Sequence, residues 1–417
     1  MTKIQVLLKN LGPGVLFATT AIGTSHLVLS TKAGAQYGLV MIIPIILAMV
    51  LKYPFFEFGI RYTNVTNKSL IEGYRNRGKH YLRLYAVITL VTTFTILSTL
   101  YVVTAGLFIN LFHIPEVPVS TVALGLFIFV GGLLIIGRYK LLEASLKFVI
   151  FLLFIALLVT TSSVLFKGQA PTDPNFVPSN IFNEVGVLFL ISLVGWMPCA
   201  VEVSSWVSLW SIEKYKKENN KPSLSEALME FNLGYFLTAI LAIFFLIIGC
   251  MTLYGTGTQI SGNAVAFADQ LVNLFTTNIG AWTYIFIATA AFATMFGTCI
   301  AAHDALARVS IDILELLSPR KTLNNKKKLY VWGVVILIII NYTVIASFSA
   351  NMGQLVAMST LVAFVVAPVI GYMNLRNVMS EDLPASYRPK KGLRGLTYLG
   401  ILFLTLFAAY YCWMLLI

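Results

Sequence analysis

Ile22-Gly23-Thr24-Ser25-His26-Leu27 and Val194-Gly195-Trp196-Met197-Pro198-Cys199 are the two stretches that decide how this chain folds. Each falls inside a long apolar run, and each is a poor continuous helix. In the first, a glycine and three polar residues follow one another between an apolar stretch ending at Ile22 and a resumption at Leu27. In the second, Pro198 lacks a backbone donor and clashes with the preceding turn. Backbone that unwinds inside a bilayer persists only where protein buries it or where it lines a cavity. Taken alone, either stretch also reads as an ordinary kink; the pair is more specific.

Outward from these breaks the chain is apolar. Of 417 residues, 58% are hydrophobic, 13% aromatic and 11% charged, and mean hydropathy is +0.84. A soluble globular protein carries roughly 25% charged residues, so a soluble multi-domain enzyme, a disordered chain and a secreted disulfide scaffold are excluded. The cysteines, Cys199, Cys250, Cys299 and Cys412, lie far apart with no CxxC pair, which implies neither a zinc module nor a disulfide framework. About eleven apolar runs approach the ~20 residues that a bilayer core demands. They fall near 11–36, 39–62, 84–112, 119–137, 143–166, 184–211, 229–254, 279–307, 329–349, 353–374 and 395–416. The first follows Lys3 and Lys9, exceeds signal-peptide length and lacks a convincing cleavage site.

The formal charge of +12 reads as topology rather than nucleic-acid binding. Alternate loops hold Lys68, Arg75, Arg77 and Lys79; Arg138 and Lys140; Lys214, Lys216, Lys217 and Lys221; Arg320, Lys321 and Lys326 to Lys328; then Arg376, Arg388, Lys390, Lys391 and Arg394. The opposite loops hold only Lys167. The positive-inside rule then places the N-terminus in the cytoplasm and, after eleven spans, the C-terminus outside a plasma membrane. Histidine pairs suited to heme, an H-E-x-x-H motif, a nucleophile elbow and a P-loop are all missing, which disfavours a membrane enzyme and ATP-driven pumping. Secondary transport without a cofactor is the expectation, and a non-transporting scaffold or sensor is the alternative class. Broken helices 1 and 6 at the start of two five-helix halves point to an inverted repeat with its site at the midplane. The expected organisation is a single all-α transmembrane domain over 1–417, with repeats at about 11–166 and 184–374 and an extra helix at about 395–416.

Leu11-Gly12-Pro13-Gly14, Ala33-Gly34-Ala35-Gln36-Tyr37-Gly38 and Met197-Pro198 resemble the NRAMP family of divalent-metal transporters, as do Asn110-Leu111-Phe112-His113-Ile114-Pro115 and Gln354 with Ala367-Pro368. The resemblance spans most of the chain and implies a LeuT-like fold. The motifs nearest the chemistry depart from it. Where the family has Asp-Pro-Gly-Asn in the first break, Gly23 stands at the aspartate position and His26 at the asparagine position. The family's Met-Pro-His becomes Met197-Pro198-Cys199, so the methionine ligand survives. The family's third helix carries acidic residues associated with proton movement; here residues 84–115 contain no Asp or Glu. The chain reads as a divergent branch.

Hard divalent cations want oxygen ligands, usually including a carboxylate. Without the first-helix acid, Gly23, Thr24, Ser25, His26, Met197, Cys199 and Gln354 form the expected substrate-binding set. Half-helix N-termini and hydroxyl donors favour a small anion such as bicarbonate or a small carboxylate. A transition-metal site built from His26, Met197 and Cys199 is the alternative that the family favours, and a neutral amino acid is a further candidate. Glu202, with no basic residue within four positions, is a candidate for proton or sodium coupling or for gating, and Lys32 lies further along the first helix. Glu57 with Arg61 and Asp304 with Arg308 are spaced as i,i+4 pairs. Lys52 is expected either to join the Glu57 cluster or to snorkel toward the interface.

Overall fold

The computed structural model describes residues 13–137, 139–218, 221–318, 326–348 and 350–414. Leu11 and Gly12 of the opening motif, and the basic residues Arg138, Arg320 and Lys321, lie outside them. All regular structure among the described residues is helical. The first apolar run comprises α1 (Pro13–Ala21), a π-helical turn (Ser25–Ser30) and α2 (Thr31–Tyr37). Gly38, at φ 75°, turns the chain into α3 (Ile42–Thr66). Then come α4 (Leu70–Arg77), α5 (Lys79–Phe112), α6 (Val119–Ile136) and α7 (Tyr139–Lys167). The sixth run is split into α8 (Glu184–Trp196) and α9 (Val203–Glu218). The remainder is α10 (Leu224–Leu253), α11 (Ala264–Ile279), α12 (Tyr284–Leu317), α13 (Lys326–Ser347), α14 (Met352–Val378) and α15 (Lys391–Met414).

Every one of the eleven expected runs coincides with a helix or a broken helix. Among the described residues eight segments are, by length and composition, apolar enough to cross a membrane unaided; α8 and the stretch Phe151–Lys167 are apolar but shorter. Two additional helices lie where the sequence predicts loops. Capped by Ser69 and Glu72 in a reciprocal box, α4 joins α3 to α5. Between the expected runs 229–254 and 279–307, α11 buries Phe267, Leu271, Val272 and Phe275 on one face and packs along α5, the spacing of an amphipathic helix.

Burial is arranged as a bilayer requires. Large apolar side chains such as Ile43, Val87, Leu90, Ile128 and Phe129 face outward, while Thr92, Thr95, Ser98, Thr99 and Thr104 of α5 face inward. Lipid gives no hydrophobic push between helices, so close approach of small residues takes over. Both halves of the first helix use it against α10. A Cβ on Gly14 would fall 2.6 Å from the Glu230 carbonyl oxygen, and one on Gly234 2.4 Å from that of Gly14. Beyond the break, a Cβ on Gly34 would meet the Leu246 oxygen at 2.0 Å, and one on Gly249 the Thr31 oxygen at 2.2 Å. One helix therefore fixes the position of both halves.

Replacing Gly34 by Val should abolish monodisperse protein on size exclusion, because backbone rather than a flexible side chain blocks the new atoms. Gly125, where an added methyl would meet nothing within 4 Å, is the control: Gly125→Ala should preserve or raise the unfolding temperature.

Candidate functional site between the two broken helices

Helix α1 stops at Ala21, and the chain passes Ile22 and Gly23 before resuming. Gly23 lies against α12, where an added Cβ would sit 3.2 Å from Thr298 Cγ2. The Thr298 hydroxyl contacts the Thr19 and Thr294 carbonyls, each at 3.1 Å. In the second break α8 ends at Trp196, Met197 is extended, the Met197–Pro198 peptide is cis, and helix resumes at Val203. Ser25 joins the two breaks: its Oγ lies 3.0 Å from the Ala21 carbonyl and 3.1 Å from the Pro198 carbonyl.

A helix C-terminus leaves carbonyls without intrahelical partners, and in a membrane interior they need another donor. Lys52 of α3 supplies it. Its ammonium is fully buried and donates to the carbonyls of Val194 at 3.0 Å, Gly195 at 2.8 Å and Cys199 at 3.2 Å. Lys52 therefore neither joins the Glu57 cluster nor snorkels. The reason is angular: five residues along a helix rotate a side chain by about 140°, four by about 40°. Arg61 does turn onto Glu57 and pairs with it, with a further bond of 2.8 Å to the Tyr387 carbonyl.

Between the breaks lies a cavity of about 40 Å³, lined by Thr20, Gly23, Thr24 and Ser25 on one side and Trp196, Cys199 and Ala200 on the other, with Thr298 closing it from α12. One water needs ~10–15 Å³ by this measure, so the space suits a solute of a few heavy atoms. No carboxylate is among its described lining residues. Trp196 is one of the lining residues, and its indole N–H is buried with no hydrogen-bond partner.

The other expected residues scatter. His26 is fully buried behind the cavity wall: Nε2 faces the Thr238 carbonyl at 2.9 Å and Nδ1 faces Ser25 Oγ at 2.8 Å. A carbonyl only accepts, so Nε2 carries a hydrogen and both ring nitrogens are committed. Met197 is fully buried in the core rather than on the lining. Gln354 is exposed and lines a surface pocket with Gly262, Asn263 and Asn351, away from the breaks. Lys32 lines a separate cavity of about 190 Å³, with its Nζ 5.9 Å from the Phe189 ring centre. Glu202 is 2% exposed, and neither carboxylate oxygen has a partner. Lys52, Tyr74 and Tyr85 are within electrostatic range of it. No group of three or more His, Cys, Asp or Glu among the described residues is placed to hold a metal ion.

On the α9 side of the cavity, Asp304 of α12 gathers three neighbours. It accepts from Arg308 Nε at 2.8 Å, Tyr330 OH at 2.6 Å and Trp210 Nε1 at 3.3 Å, tying α9, α12 and α13 together. His303 beside it is a core residue whose ring nitrogens face Tyr101 OH and the Val334 carbonyl. Sequence reasoning alone misses the carbonyl contacts of Lys52 and the free Trp196 N–H; a lone basic residue within a span is the available signal for the first.

Similar proteins extend over the same length. A family model described as natural resistance-associated macrophage protein-like matches residues 14–414. An uncharacterized protein of Pasteurella multocida (strain Pm70) is 33% identical over 409 residues, covering 95% of this chain and 90% of the relative. A mutant of the Eremococcus coleocola manganese transporter shares 14% identity with a TM-score of 0.72, covering 98% of this chain and 87% of that one. MhsT in complex with L-phenylalanine shares 15% identity with a TM-score of 0.66, covering 96% and 98%. The two broken helices, the helical bundle and these likenesses agree: this chain belongs to the natural resistance-associated macrophage protein-like family and is a multi-pass membrane transporter of LeuT-like fold.

Proposed function

We propose that this transporter carries a small anion, with bicarbonate as the concrete case and small carboxylates sharing its chemistry, through the cavity between the two breaks. The observation behind this reading is the unpartnered indole N–H of Trp196. Indole nitrogen only donates and cannot ligate a cation; an anion's oxygen would satisfy it. Thr24, also on the lining, adds a hydroxyl able to turn toward the same solute, whereas that of Ser25 is held between the two breaks. The family's aspartate position holds Gly23, so the cavity offers no carboxylate to offset a hard cation's lost hydration.

Glu202 fits the coupling role in this scheme. A buried carboxylate with two unpartnered oxygens gains most from a bound proton or sodium ion, and a cation carried with the anion would offset its charge. Lys32, at the neighbouring cavity, would draw the anion toward the breaks. The alternation of basic loops supports a cytoplasmic N-terminus in a plasma membrane, and the two breaks support paired repeats at about 11–166 and 184–374. A divalent metal ion is the second reading. It is favoured by family membership and by structural neighbours that are manganese transporters.

Uptake of labelled bicarbonate and labelled manganese into proteoliposomes, measured side by side, separates the two. The anion reading expects saturable bicarbonate uptake and no manganese uptake; the reverse result contradicts it. Trp196→Phe should raise the KM for the anion about 10-fold or more, since a hydrogen bond to a charged group contributes ~1.5–3 kcal/mol. Glu202→Gln should flatten the dependence of uptake on pH or sodium, and an unaltered dependence would leave Glu202 a structural residue.

A further inference from the structure

The ammonium of Lys52 holds carbonyls from both sides of the second break. Val194 and Gly195 belong to the end of α8, where the helix dipole concentrates partial negative charge, and Cys199 belongs to the unwound segment. All three of its donors are used, and no carboxylate of the described residues pairs with it. Glu202 lies in electrostatic range but has no hydrogen bond to it. Three carbonyl oxygens converging on one point are the donor set that a bare cation would seek. Trp196, between these carbonyls in sequence, and Cys199 both line the cavity, so the cage adjoins the place where cargo would sit.

We infer that Lys52 selects the cargo: its tethered ammonium stands in for a bound cation in the second break, closes the carbonyl cage to metal ions, and leaves a fixed positive charge beside the cavity. The benefit to an anion rests on the reading of the previous subsection; the occupation of the cage does not. A purely structural helix cap would also use these contacts. It would not, however, alter which ion is transported.

Two variants of the full chain test this. Lys52→Ala leaves the cage empty with room for a small amine. Its unfolding temperature, or its yield of monodisperse protein if it does not otherwise fold, should recover in methylammonium and not in tetramethylammonium at equal ionic strength. The second amine carries the charge but no N–H. Recovery in neither, or equally in both, overturns the cage assignment. The emptied cage of Lys52→Ala should also gain a saturable stabilisation by manganese that the wild type lacks, and Lys52→Met, which keeps the length of the side chain without its charge, should lower kcat/KM for bicarbonate at least 10-fold. Wild-type bicarbonate kinetics in Lys52→Met would sink the selecting role and leave the anion reading intact. Methylammonium-specific recovery in a protein whose wild type carries no bicarbonate would sink the anion reading and leave the occupied cage standing.

Discussion

The contact between one buried ammonium and three backbone carbonyls makes the rest of this structure possible. A helix interrupted in mid-membrane exposes carbonyls that lipid cannot satisfy, and the residue that satisfies them here comes from a neighbouring helix. Lys52 is itself stable at that depth only because its three donors are used. Around this fixed point the second break is joined to the first through Ser25 and the Pro198 carbonyl. Glycine contacts hold both halves of the first helix on α10, so the cavity is framed by backbone with limited room to shift.

What that frame binds is set by the side chains the sequence places on it. The fold, shared at low identity with a manganese transporter and with MhsT, specifies where a solute sits and leaves its chemistry open. In this chain the lining includes Thr24, Ser25 and Trp196, and Glu202 is not on it.

Much of the architecture is legible from periodicity and composition, because bilayer spans must be long and apolar. All eleven runs appear as helices, and both breaks lie where glycine, polar residues and proline interrupt them. The amphipathic helix α11 is hidden, since its polar face gives it the composition of a loop. The site is less legible. Glu57 and Arg61 pair as their spacing implies, yet Lys52, one residue further away, points to a different helix face and a different partner. His26 occupies a break and still turns both nitrogens into the scaffold. Gln354 carries a family-like motif but lies at the surface. In each case the deciding surroundings come from a distant part of the chain, and such contacts follow from tertiary packing rather than from local spacing.

Anomalous diffraction from crystals grown with manganese, compared with metal-free crystals, probes the second break itself. With the cage occupied, no anomalous peak is expected among the carbonyl oxygens of Val194, Gly195 and Cys199, and the Lys52 ammonium stays in place in both. A manganese peak at those oxygens, with Lys52 displaced, would contradict that occupancy.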